Sequence, residues 1–290
     1  MTQLQDSLRG PGGLAGGVEA SAIPLPVKPL TKQTIVIRLL LAVLALTTVY
    51  ALTTLDYGAV DLGQALLDTL ANLKIIFLDP GGPHLSFPKA LYEVVITLGL
   101  AFLTTLFGGV IALFLGLLGA QNLAPKWVTN IVKVFVALIR AVPTILWVLI
   151  FAVTAGLGAT AAVVGMTFHS VSYLTKAYAE SFEDLDRSVI EALKASGANW
   201  WQIVFQAVIP SSFTYLLSWT FMRFEINFAN AVAMGAAAGA SGVGFDLFMA
   251  SGYYFDLREV GLITYIILAF AIGLETIATR LKSRIKDHQD

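Results

Sequence analysis

The chain has 290 residues, of which 57% are hydrophobic and only 13% charged, with a mean hydropathy of +0.78 and a formal net charge of −1. A water-soluble domain keeps about a quarter of its residues charged; half that share, with apolar residues gathered in long runs, means that lipid surrounds most of the surface. The near-neutral charge offers no basic field for nucleic acid. The lack of cysteine excludes disulfides, thiolate metal sites and cysteine nucleophiles, and His84, His169 and His288 are too far apart to form a ligand-spaced pair.

Residues 1–32, rich in Gly and Pro around Gly10-Pro11-Gly12-Gly13 and Pro24-Leu25-Pro26, read as a disordered tail. A membrane-crossing helix needs roughly 20 mostly apolar residues. Six stretches qualify: 33–55, 91–118, 127–155, 157–178, 211–238 and 260–281. Gly and Pro inside these runs are compatible with helix, because neighbouring helices can satisfy the freed backbone groups. The first run is longer than a signal-peptide core and some thirty residues precede it, so an uncleaved span is expected. Residues 56–90 form an outer loop. Its Asp61–Leu78 portion suits a short interfacial helix, ended by Asp79-Pro80-Gly81-Gly82-Pro83. Residues 91–281 make the core, with an inner loop at 181–210, and 282–290 form a short tail. Only the Gly156/Gly158 pair marks a turn between the third and fourth spans.

Lys and Arg residues set the orientation. With both termini cytoplasmic and six spans, 13 of the 18 fall inside, 3 (Lys74, Lys89, Arg258) fall outside, and 2 (Arg140, Arg223) lie within spans. That bias follows the positive-inside rule, and five or seven spans would spoil it.

The inner loop reads as two short helices. Ser188 and Glu191 have capping-box spacing and open Val189–Ser196, and Gly197 stands where a left-handed helix end would want it. Asn199 and Gln202 form a second box that opens Trp200–Ile209, and Pro210 is expected to stop that helix. On local chemistry alone this is a surface hairpin with ordinary caps.

Glu191-Ala192-Leu193, Gly197 and Ile209-Pro210 together resemble the "EAA…G…I-x-LP" loop of bacterial type I ABC importer permeases, with Leu193 in place of the motif's second Ala. Arg140-Ala141-Val142-Pro143-Thr144 with Trp147, Tyr178-Ala179-Glu180, Arg223-Phe224-Glu225-Ile226-Asn227 and Gly239-Ala240-Ser241-Gly242-Val243-Gly244 are similar to the phosphonate-type branch. That branch usually carries another Arg soon after the Asn, where this chain has Phe228-Ala229-Asn230. The resemblance implies an all-α integral membrane fold of about six transmembrane helices. It also implies that Glu191, Ala192, Gly197, Ile209 and Pro210 couple to an ABC ATPase dimer. The further implied partners are an extracytoplasmic substrate-binding protein and a second permease copy, identical or paralogous. No G-x-x-x-x-G-K-[ST] motif occurs, so ATP and Mg belong to the partner ATPase, and this chain itself is expected to bind no cofactor or metal and to have no catalytic residues.

Arg140, Arg223 and Glu225 are the ionisable groups deep in spans, with Arg140 on the order of 15–20 Å from the inner end of its helix. Such charges face the protein interior or a water-filled path. At 100° per residue, Arg223, Asn227 and Asn230 share a face, while Glu225 points away. Either Arg140 and Arg223 supply positive potential for an anionic substrate, or Arg140 and Glu225 form a structural bridge. His169, Tyr173, Lys176 and Glu180 share one face of the fourth span, lining an inner vestibule or making an interhelical contact. Gly235 and Gly239 form a small-xxx-small pattern that permits close helix approach. Gly239, Gly242 and Gly244 make either an outer gate or a flexible turn. The reading is an inward permease for a phosphonate or related small oxyanion, working by alternating access. An ion-coupled secondary transporter of a small anion is the alternative.

Overall fold

The computed structural model describes residues 31–55 and 61–286; the tail expected over 1–32 lies, apart from its last two residues, outside the described residues. The chain divides into two units at Asp61. The described part of the first is a single helix, α1 (Lys32–Thr54), capped by the Thr31 hydroxyl, which accepts the Thr34 N–H. It is apolar around its whole circumference, and Leu39, Leu46 and Tyr50 are all exposed. A helix of that kind is suited to hydrocarbon.

The second unit is helical throughout its described regular structure. Helix α2 (Leu62–Leu78) fills the place expected for an interfacial helix. It leads into α3 (Phe87–Gly119), α4 (Lys126–Ala141), α5 (Thr144–Ala155) and α6 (Ala159–Glu183). Then follow α7 (Arg187–Ala195), α8 (Trp200–Ile203), a π-helical turn (Val204–Val208), α9 (Ile209–Ala238), α10 (Val243–Gly252) and α11 (Leu257–Lys286). The last helix runs well into the short tail expected from residue 282.

Helix α6 is the hub and packs against α3, α4, α5 and α9. Missing side chains bring the backbones together. A Cβ on Gly108 would stand 2.7 Å from the Ser170 Cβ, one on Gly116 3.0 Å from the Tyr178 Cβ, and one on Gly165 2.5 Å from the Val148 Cα. Such small-residue contacts are how helices associate where lipid is as apolar as leucine. Aromatic residues of α3 such as Phe102, Phe107 and Phe114 stay exposed on the outside of the bundle.

Helices α1, α3 and the Leu257–Arg280 part of α11 are each long and apolar enough to cross a bilayer. The third expected span is not one helix. Helices α4 and α5 meet at an 85° bend, because Pro143 has no N–H to donate and holds Val142 in extended backbone (φ −96°, ψ 123°). The Gly156–Gly158 turn is real; both glycines have positive φ, at 87° and 139°. Helix α6, the fourth expected span, is 25 residues long, or about 37 Å at 1.5 Å per residue. Its polar side chains, Ser170, Ser172, Thr175 and Ser181 among them, are buried inside protein.

Pro210 does not stop the helix it follows. The 200–238 stretch continues through the π turn, where the Ile209 N–H donates to the Val204 carbonyl, and Pro210 sits in the first turn of α9. A π turn widens the ladder, which spares the carbonyl that a proline ring would otherwise strike.

Candidate functional site

The face of α9 that carries Arg223 and Asn227 meets α6 and α3 in a buried polar cluster. The Arg223 side chain, 2% exposed, donates through Nε to Ser170 Oγ (3.0 Å) and through Nη2 to His169 Nδ1 (3.1 Å). A guanidinium only donates, so the His169 proton resides on Nε2. The Tyr173 ring lies 5.2 Å from the guanidinium carbon, presenting its negative face to the cation. Asn227 is fully buried; it accepts the Ser170 hydroxyl (3.1 Å) and donates to Thr105 Oγ1 (2.9 Å). Thr105 in turn donates to the Ala101 carbonyl at 2.7 Å.

This arrangement holds a buried cation with neutral partners. Among the described residues, no carboxylate pairs with Arg223. A charge so placed is costly unless something of opposite sign visits it. Helical phase in the sequence brings Arg223 and Asn227 together, but Asn230 is half-buried and does not join them. Ser170 and Thr105, which complete the cluster, come from other helices and left no periodic signal of their own.

The Arg140–Glu225 bridge does not form. Arg140 is exposed and sits in the last turn of α4, where a cation complements the helix dipole. The Pro143 break ends α4 there, so Arg140 stands at a helix end, not at mid-span. It lines a cavity of about 720 Å³ with Lys133, Lys176 and Glu180. Lys176 and Glu180 pair at 3.6 Å. The face formed by His169, Tyr173, Lys176 and Glu180 therefore divides, its first two residues serving the Arg223 cluster and its last two the cavity.

The inner loop keeps most of its expected caps. Asn199 and Gln202 form the capping box, each side chain accepting the other's backbone N–H (2.9 and 2.7 Å). Gly197, with φ 86°, closes a Schellman motif in which Ala198 N–H donates to the Leu193 carbonyl and Gly197 N–H to that of Lys194, both at 3.0 Å. The start of α7 is different. Its cap is Asp186, whose carboxylate accepts the Ser188 N–H at 2.9 Å, not Ser188 with Glu191. That backbone donor holds the exposed Asp186 carboxyl below the ordinary carboxylate range. Glu191 and Ala192 are thereby left exposed on the loop surface. Trp200 Nε1 donates to the Leu123 carbonyl (3.0 Å) and Asn122 Nδ2 to that of Phe182 (2.7 Å). Ile209 packs into the same core, so the loop is tied to the bundle.

At the other end of α9, Gly239 takes a left-handed conformation (φ 59°) and ends the helix, and Gly242 (φ 119°) precedes α10. The Gly242 N–H donates to the Glu93 carboxylate (2.9 Å) and the Val243 N–H to Thr97 Oγ1 (3.0 Å), which pins α10 to α3. Gly244 lies inside α10, not in an irregular stretch; a Cβ there would overlap the Val232 carbonyl.

Apolar helices packed around a buried cationic cluster, with a capped two-helix loop between α6 and α9, define an integral membrane transport component. The chain belongs to the family described as binding-protein-dependent transport system inner membrane component, whose model matches residues 108–286. Among its relatives, the phosphite transport system permease protein PtxC of Stutzerimonas stutzeri is 31% identical over 191 residues, covering 66% of this chain and 69% of that protein. The phosphate-import permease protein PhnE of Mycolicibacterium smegmatis is 27% identical over 193 residues, covering 65% of this chain but 35% of that protein. Among solved structures, an inward-facing MetNI methionine ABC transporter matches with a TM-score of 0.59 at 22% identity, over 69% of this chain and 99% of that one, a likeness of fold alone. The chain is thus the permease component of an ABC importer in the inner membrane. The ion-coupled secondary transporter falls away.

Proposed function

We propose that this permease passes a small phosphorus oxyanion inward by alternating access: a phosphonate, phosphite or phosphate. ATP and Mg act on the partner ATPase dimer, an extracytoplasmic binding protein delivers the substrate, and a second permease copy faces this one. The chain's similarity to phosphite and phosphate permeases supports the substrate class. The observation that carries the reading is Arg223, a buried cation held by Ser170, His169 and Tyr173 with no carboxylate among its partners. A planar guanidinium fork suits two oxygens of a tetrahedral anion. In the present arrangement neutral groups occupy the fork; relative movement of α6 and α9 would release it to the substrate, with Asn227 and Asn230 on the same face and Arg140 adding potential.

The test is uptake of radiolabelled phosphate, phosphite and methylphosphonate, each expressed per assembled complex. Arg223→Gln is expected to assemble and to lose uptake of the transported anion, while Arg223→Lys keeps partial uptake because charge remains without the fork. Arg140→Gln assembles normally, since no bridge to Glu225 is broken. Normal uptake by Arg223→Gln would sink the anion path.

A further inference from the structure

The half-open cavity that Arg140 lines is bounded by the end of α3, the α3–α4 connection and facing sides of α4 and α6. Its volume of about 720 Å³ corresponds to about two dozen waters at ~30 Å³ each, room for a tetrahedral oxyanion with part of its hydration shell. On α4, Lys133, Val136, Ala137 and Arg140 follow the i, i+3, i+4, i+7 spacing of one helix face, so both cations point the same way. Across from them α6 contributes Thr175, Lys176 and Glu180.

Two observations about these walls go together. The first is electrostatic. Glu180 is engaged by Lys176 at 3.6 Å, and Glu183 accepts the Gln121 N–H at 2.8 Å. Neither Lys133 nor Arg140 has an ion-pair partner among the described residues. The second is a hydroxyl. Thr175 is 2% exposed, yet its Oγ1 has no hydrogen-bond partner. Its neighbours on the same helix behave otherwise: Thr167, Ser170, Ser172 and Ser181 all donate back to a carbonyl three or four residues earlier. A buried hydroxyl left unpaired is destabilising, and this residue lines a cavity whose Lys133 and Arg140 also lack ion-pair partners among the described residues.

We propose that this cavity is a second anion-binding station, separate from the Arg223 cluster, in which the Arg140 fork and the Thr175 hydroxyl grip a phosphate-like group and Lys133 supplies charge. The inference rests on the oxyanion reading above and deepens it by giving the substrate a place to pause beside the Arg223 cluster. The two stations share α6, on which Ser170 and Tyr173 contact Arg223 while Thr175 lines the cavity. A path of two moderate sites conducts better than one deep site, because an anion held by every cation at once would not leave.

The experiment is equilibrium binding of radiolabelled orthophosphate to the whole permease–ATPase complex in nanodiscs, without nucleotide. Saturable, salt-sensitive binding is expected. Thr175→Val and Lys133→Gln should each weaken it about tenfold, the loss of one charge-assisted contact, and Thr175→Ser should restore it. If Thr175 is merely structural, the Val variant is at least as heat-stable as the parent and binds phosphate equally well, which overturns the proposal. Arg223→Gln should abolish uptake but leave the Thr175-dependent part of this binding within about twofold. Binding lost in Arg223→Gln and intact in Thr175→Val would mean a single station and overturn the inference alone. Normal uptake by Arg223→Gln, with binding still sensitive to Thr175→Val, would sink the transport reading and leave the station standing. Nanodiscs with and without phosphatidylglycerol separate the two sources of phosphate. Equal binding in both supports a free anion, and binding abolished by the anionic lipid assigns the cavity to a headgroup and overturns the proposal.

Discussion

Arg223 and Gly165 show what single residues decide here. Arg223 sets the charge of the buried cluster, and its neighbours keep it solvated without neutralising it. Gly165 sets a distance: a Cβ there would stand 2.5 Å from the Val148 Cα and 2.6 Å from its amide nitrogen, which is backbone and cannot rotate away. Gly165→Ala should therefore push α5 from α6 and lower the yield of assembled, heat-stable complex. Gly99, also inside a helix, has nothing within 4 Å of its Cβ direction, so Gly99→Ala should be neutral or slightly stabilising. Thermal denaturation of the two purified variants tests this; equal behaviour would mean that the α5–α6 approach is looser than the geometry says.

Among the elements, the inner loop carries the clearest local signals. Gly197 holds φ at 86°, and a Cβ there would meet nothing within 4 Å. Any defect on substitution must therefore come from backbone conformation and not from a clash. Left-handed backbone costs roughly 1–2 kcal/mol for an ordinary L-residue and less for Asn. Gly197→Leu should reduce ATPase co-purification and uptake while membrane insertion persists, and Gly197→Asn should retain most of both. If Leu and Asn behave alike, the turn does not set the docking geometry. Because Trp200 and Asn122 tie the loop to the connection between α3 and α4 and to the end of α6, a push on α7 and α8 has a route into the bundle. The π turn at Val204–Val208 continues it into α9.

For the whole molecule, the division of basic residues predicts that the inner loop and the α10–α11 connection lie on opposite sides of the membrane. A single cysteine at Gly82 or Ser251 should react with an impermeant thiol reagent added to intact cells, and one at Ser196 should not. Ser196 and Ser251 are both exposed, so protection would report the membrane and not burial. The reverse pattern would overturn the orientation. The Gly82 position has its own cost, since a Cβ there would stand 2.7 Å from the Glu259 Cβ, and Ser251 is the cleaner reporter.

The amino-acid sequence by itself determined the features that depend on near neighbours along the chain. Apolar runs located most helices, because hydropathy acts through the surface of a single segment. The Asn199/Gln202 box and the Gly197 helix end were legible because a cap is closed by residues within one turn. Phase along α9 put Arg223 beside Asn227 for the same reason. The tertiary structure decided everything that depends on what lies across from a helix. It broke the third span at Pro143 with an 85° bend, and it carried α9 past Pro210, where the π turn makes room for the proline ring. It gave Arg223 the partners Ser170, His169 and Tyr173, and it separated Arg140 from Glu225 by ending α4 early. Those pairings depend on the angle and depth at which helices meet, set by glycines such as Gly108, Gly116 and Gly165 whose contacts lie some 20 to 60 residues away in the chain.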